Sequence, residues 1–245
     1  MSVIALHVSE HGVSMACDGV SYRSDGKISG FVSKMYPLVH LNAVMGNTGV
    51  GGICAAIIHL MGDHVRDFDH LVEVIPELFK FAYNKIVETH VPNVDDLPPS
   101  CVVIAGWSSL RNSYSAYRVM SYAKQTKDST SGKNIELKPW KVHEIKEFWA
   151  SFEVPEDKMR SFLVIDSGAT DAISYCARYV CAARACSGTK DPDAKGMNFN
   201  AGGFLQVLTL YEDDIRTTIA HRWVTDAVGK AIDPEQGERM PSSLM

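Results

Sequence analysis

Between Gly46 and Gly52 the chain changes its hydrophobic period, and that change limits the folds open to it. Upstream, apolar and β-branched residues form short runs broken by turn signals. Ser2 to Val8, the turn Glu10-His11-Gly12 and Val13 to Asp18 read as a hairpin. An excursion through Ser24-Asp25-Gly26 leads to strands over Phe31 to Leu41 and Asn42 to Met45. Downstream of the run GNTGVGG, Ile53, Ile57, Leu60 and Met61 stand at the spacing of a helix with about 3.6 residues per turn. A second helix is expected over His70 to His90, on Leu71, Val74, Ile75, Leu78, Phe79, Ala82 and Ile86, with Pro76 kinking it or setting its first turn. Pro92, Pro98 and Pro99 mark a loop.

The second half alternates again. Strands are expected over Cys101 to Trp107 and Tyr114 to Tyr122, joined by Leu110-Arg111-Asn112, with Lys124 to Lys133 as an exposed, mobile loop. Ile135 to Asp157 carries no clear period, and Phe162 to Ile165 reads as a short strand or the lead-in to a helix. Thr170 to Cys186 predicts a helix with Ala172, Ile173, Cys176, Val180 and Ala183 inward. Gly203 to Tyr211 and Ile215 to Trp223 predict a hairpin turning at Glu212-Asp213-Asp214, followed by a polar, loose tail from Asp226 to Met245. This order predicts an α+β protein of two antiparallel sheets stacked between helical layers, one domain over residues 1–245.

Composition narrows the function classes. Lys plus Arg is 24 and Asp plus Glu is 29, a formal charge of −5 without long runs of one sign, which argues against nucleic acid or an anionic membrane as partner. Apolar stretches such as Ile53 to Met61 are far shorter than the roughly 20 residues that span a bilayer. Met1 to Val8 lacks a basic start and is followed at once by Ser9, Glu10 and His11, so no secretory leader and a cytoplasmic location are expected. Cys17, Cys54, Cys101, Cys176, Cys181 and Cys186 sit mostly in apolar segments, which predicts buried free thiols. No CxxC or HExxH is present, and cysteines five residues apart do not converge on one ion, so no metal is expected.

Ser2 is the candidate nucleophile. If Met1 is trimmed, Ser2 carries a hydroxyl and a free α-amine, and an amine with a pKa of about 7.7 to 8.0 can take the proton of its own hydroxyl near neutral pH. Three residues line up with it. A lysine in a sheet interior needs a counter-ion, so Lys34, placed in the third strand, is expected to pair with Asp18 at the end of the second. Beside Ser2 that ammonium would lower the amine's pKa by like-charge repulsion. Gly49 precedes the first helix, whose N–H groups could face a developing oxyanion. Taken singly, Asp18 before Gly19 equally ends a strand, Lys34 equally lies on a solvated face, and glycines before a helix equally serve the turn. GNTGVGG is not a phosphate loop, because the closing GK[ST] is missing.

Together these residues resemble the proteasome β-subunit superfamily, which includes the bacterial heat-shock-locus peptidase. There the aspartate and lysine follow the amino-terminal nucleophile by 16 and 32 positions, as Asp18 and Lys34 follow Ser2. SVIALHVSEHGVSMACDG resembles the family's opening hairpin, SKMYPLVHLNAVMGNTG its lysine strand through to the oxyanion glycine, and SCVVIAGW the first strand after the helix pair. The likeness covers residues 2–110 and weakens beyond. VIDSGATDA resembles the Gly-Ser-Gly turn and puts Ser167 at the supporting serine; NFNAGG resembles the later motif, with Asn198 at its aspartate and Ala201 at its serine. Asn198 keeps hydrogen bonding without the charge, Ala201 loses the hydroxyl, and Ser2 replaces the usual threonine.

The resemblance implies a four-layer αββα amino-terminal-nucleophile (Ntn) hydrolase fold and a peptidase acting on peptides or unfolded protein without a cofactor. It also implies a homo-oligomeric ring of identical subunits with a possible ATPase unfoldase as partner. The departures leave two other readings open: a catalytically silent ring-forming or interaction protein, and an Ntn amidase of small substrates.

Overall fold

The computed structural model describes residues 3–23, 25–90, 99–127, 134–162, 171–189, 200–212 and 214–236. In chain order its first elements are β1 (Ile4–Ser9), β2 (Gly12–Asp18), β3 (Val20–Tyr22), β4 (Ile28–Phe31), β5 (Met35–Leu38), β6 (Ala43–Thr48), α1 (Ile53–Met61) and α2 (Phe68–His90). There follow β7 (Cys101–Ser108), β8 (Ser113–Met120), β9 (Lys124–Lys127), β10 (Asn134–Leu137), β11 (His143–Ile145) and β12 (Phe148–Ala150). The last are α3 (Glu156–Arg160), α4 (Ala172–Arg184), β13 (Phe204–Tyr211) and β14 (Asp214–Arg222).

Two five-stranded antiparallel sheets carry the fold, in the orders β12-β1-β2-β13-β14 and β11-β8-β7-β6-β5. Successive side chains on a strand point to opposite faces, and in β1, β2 and β7 both faces are buried, which is why these strands read as continuous apolar runs. Ile4, Leu6 and Val8 of β1 join Val44, Val103, Ala105 and Leu208 in a cluster built from both sheets. On the opposite face of β1, Val3 and Ala5 meet Cys176, Val180 and Ala183 of α4. The other face of the second sheet, through Met45, Val102, Ile104 and Val119, is covered by Ile53 and Ile57 of α1 and Phe68, Leu71, Ile75 and Phe79 of α2. The protein is therefore a mixed α+β structure with helices packed on its sheets.

Several expectations need correction. Phe31 to Leu41 is not one strand: β4 ends at Phe31, β5 begins at Met35, and Val39–Leu41 form a 3-10 turn. Lys34 thus precedes β5 rather than lying in a strand. Helix α2 starts at Phe68 because the Asp67 carboxylate accepts the His70 N–H at 2.7 Å, so Pro76 stands inside the helix and not in its first turn. Within the stretch expected to be a mobile loop, β9 pairs with β10 in a two-stranded ribbon; residues 128–133 lie outside the described residues. Its side chains are mostly solvated, so no alternation announces it. Ala172 and Ile173 are half-buried rather than inward. The polar tail is anchored at its start, where the buried Asp226 takes a bidentate bond from Arg184 at 2.8 and 2.9 Å.

All six cysteines are free and buried. Burial pushes the thiols of Cys17, Cys101 and Cys176 from 9.0 up to about 12, with the Asp18 charge adding to the effect at Cys17. Between pH 9 and 12 the folded chain then binds more protons than the unfolded chain, so stability falls as pH rises through that window. Each thiol contributes about 1 kcal/mol to this loss at pH 10. Lys34, whose pKa burial lowers from 10.5, contributes in the opposite direction as one group against several. Thermal melts are expected to fall from pH 8 to pH 10, and to fall less in Cys101→Val; an unchanged slope in that variant would rule out Cys101 as a cause.

Candidate functional site

The site begins with hairpin register. The β1–β2 ladder runs from Ser9 opposite Gly12 to Ile4 opposite Cys17, so Val3 comes to face Asp18. The Asp18 N–H donates to the Val3 carbonyl at 3.3 Å, and the Val3 N–H donates to Asp18 Oδ1 at 3.0 Å. Asp18 therefore grips the residue that directly follows Ser2 in the sequence.

Lys34 reaches the same carboxylate from the other sheet. Its carbonyl accepts the Asn47 N–H at 3.2 Å, which fixes it at the start of β5, and its Nζ donates to Asp18 Oδ1 at 2.7 Å. The two side chains are 8% and 0% exposed, so the pair is desolvated. Burial holds the Lys34 ammonium below its usual pKa, while the charge of Asp18 and the bond to it work the other way. On its second oxygen, Oδ2, Asp18 accepts the N–H groups of Val20 and Gly202, each at 3.3 Å. That carboxylate thus has four donors. The ammonium, with three N–H groups, donates to Asp18 alone among the described residues.

Gly49 sits two residues beyond the Asn47 anchor, at φ +93°. A Cβ here would lie 2.3 Å from the Pro99 carbonyl oxygen and 2.4 Å from Ser100 Oγ, so the turn needs glycine. Val50 donates to Ser100 Oγ at 2.9 Å and Asn47 Nδ2 donates to the Val50 carbonyl at 2.9 Å, which pins the turn on both sides. The Gly49 N–H meets no acceptor among the described residues. Helix α1 opens at the end of the glycine run, as expected: Gly52 caps it and Ile53 is its first residue, so Gly49 lies in the turn before the helix.

The structure thus brings Asp18 and Lys34 together. Ser2, Ser167 and Asn198 lie outside the described residues. Ala201 is buried, with its N–H donated to Ser187 Oγ and its carbonyl accepting from the same hydroxyl and from Arg184. Sequence reasoning missed the residues behind Asp18. Gly202 holds its Oδ2, and a side chain at Gly202 would run into Asp226 Oδ2 at 2.4 Å and Arg184 Nη1 at 2.6 Å. Asp226 in turn accepts the Gly203 N–H at 2.6 Å. The adjacent glycines of NFNAGG were the available signal; their partners, distant in sequence, were not visible.

Among the described residues no cluster of three or more His, Cys, Asp or Glu could hold a metal ion, and no helix is long and apolar enough to cross a membrane. Chemically, the arrangement sets a buried ammonium with spare donors beside the start of β1, through the carboxylate that also holds Val3, and an unengaged backbone N–H in the turn that follows β6. Comparison with models of known protein families finds no match, and no curated protein matches the sequence.

Proposed function

We propose that this chain is an amino-terminal-nucleophile hydrolase of the proteasome-subunit type, a four-layer αββα sandwich that cleaves peptide bonds with Ser2 after loss of Met1. The observation that carries this reading is the shared carboxylate: Asp18 Oδ1 binds both Lys34 Nζ and the N–H of Val3, the next residue after Ser2. In the reaction, Ser2 Oγ attacks the scissile carbonyl and its proton passes to the α-amine. The Lys34 ammonium keeps that amine partly unprotonated, and Asp18 orients Lys34. The Gly49 N–H binds the oxyanion, the amine returns the proton to the leaving nitrogen, and water hydrolyses the acyl-enzyme. Ser167 and Asn198 support the amine or a water. The subunits assemble in a ring, with an ATPase unfoldase as a possible partner.

Mass spectrometry of the purified protein tests the reading directly. Loss of Met1 and one β-lactone adduct per subunit are expected, with the adduct abolished by Ser2→Ala. Retained Met1 with no adduct would discard the peptidase. In that event the absence of a hydroxyl at Ala201 favours a catalytically silent relative of the same fold, and a native mass spectrum would report its ring.

A further inference from the structure

The second sheet carries a cation that the mechanism above does not use. Arg118 lies on β8, and on this strand Tyr114 and Ala116 belong to the cluster built from both sheets, while Tyr117 and Val119 belong to the helix-covered face. By alternation Arg118 points between the sheets. The row Met35–Gly46–Val103–Arg118 runs across β5, β6, β7 and β8, so Arg118 stands three strands from the strand that follows Lys34. At about 4.8 Å per strand that is roughly 14 Å, a separate locus.

Its surroundings are unusual for a guanidinium. Arg118 is only partly exposed, its Nε is buried with no hydrogen-bond partner, and no carboxylate of the described residues forms an ion pair with it. Of its guanidinium nitrogens, Nε alone is buried without a partner. The guanidinium carbon sits 5.9 Å from the centroid of the Trp149 ring on the opposite sheet. Trp149 and Tyr122 pack against a buried cluster of Cys101, Met120 and Leu137. Burial lowers the pKa of Arg118, and its charge acts on the Cys101 thiol against the larger effect of burial there. A partly desolvated charge without a counter-ion is costly, and an anion supplied from outside removes the cost.

We propose that Arg118 and Trp149 form a binding site for a carboxylate with an apolar body, either a free acid or a peptide C-terminus. The planar guanidinium offers parallel N–H donors that match a carboxylate, and a guanidinium over an aromatic face retains that fork. The partly exposed ring of Trp149, backed by the buried Met120 and Leu137, suits an apolar body and disfavours a strongly hydrated inorganic anion. The site does not depend on Ser2, so an inert Ser2 leaves this inference untouched.

Calorimetric titration of the full chain tests it with benzoate, benzamide, inorganic phosphate, and a phenylalanine-terminated tripeptide with a free or an amidated carboxyl. Benzoate or the free-acid peptide is expected to bind saturably, perturb tryptophan fluorescence and raise the melting temperature, while both amides fail. Tighter binding of the peptide identifies a C-terminus as the source, and binding of benzoate alone identifies a small acid. Arg118→Met is expected to weaken binding by about tenfold or more, with Arg118→Lys in between. Absence of saturable binding by either acid, equal affinity in Arg118→Met, or phosphate binding more tightly than both acids would overturn the proposal.

Discussion

Asp18→Ala is expected to lower the melting temperature by about 10 °C and to abolish acylation at Ser2. The substitution leaves the Lys34 ammonium, 8% exposed, without the only acceptor it has among the described residues, and it releases the N–H groups of Val3, Val20 and Gly202. Removing one partner of a buried ion pair costs about 3–5 kcal/mol, because the remaining charge stays desolvated. For a chain of this size each kcal/mol shifts the melting temperature by about 2–4 °C. Lys34→Met should cost less, since Asp18 keeps three backbone donors. The double variant should be more stable than Asp18→Ala alone, because it removes the stranded ammonium. Thermal melts of the three variants, read with the β-lactone adduct rate, check both parts. If Asp18→Ala melts no lower than Lys34→Met, the carboxylate is not the hub inferred from its four donors.

Gly49→Ala is expected to slow adduct formation by about a hundredfold or more while lowering stability by a smaller margin. At φ +93° a side chain is strained, at about 1–3 kcal/mol, and the new Cβ meets the Pro99 carbonyl at 2.3 Å. Backbone cannot swing aside as a flexible side chain can. Relief requires Pro99 and Ser100 to move, which loosens the Ser100 Oγ bond to Val50 and turns the Gly49 N–H. Gly51 is a control in the same run: a Cβ there meets nothing within 4 Å, so Gly51→Ala should behave as wild type. A Gly49→Ala protein that melts lower but acylates at the normal rate would remove Gly49 from the oxyanion role and leave it a turn residue.

Much of the fold was legible because its signals are local. The β1–β2 hairpin announces itself through a short turn between apolar runs, and α1 and α2 through their helical stripes. The β9–β10 ribbon was missed because most of its side chains are solvated and only backbone pairing holds it. The short strands β11 and β12 are three residues each, too brief to show a period, and they exist because longer strands beside them supply the ladder. Asp226 looked like part of a polar tail because its partner, Arg184, lies 42 positions away.

The same division holds at the candidate site. Sequence alone determined the hairpin that sets Asp18 opposite the start of β1, the glycine that the turn after β6 requires, and the paired carboxylate and ammonium as an expectation, since periodicity, turn chemistry and the need for a counter-ion can be read from residues in order. Only the tertiary structure decided that one oxygen of Asp18 serves both Val3 and Lys34, that Gly202 completes the carboxylate, and that the buried Nε of Arg118 finds no hydrogen-bond partner among the described residues. These facts depend on how one sheet stacks on the other. Stacking is set by the summed packing of side chains far apart in the chain, and no window of the sequence carries it.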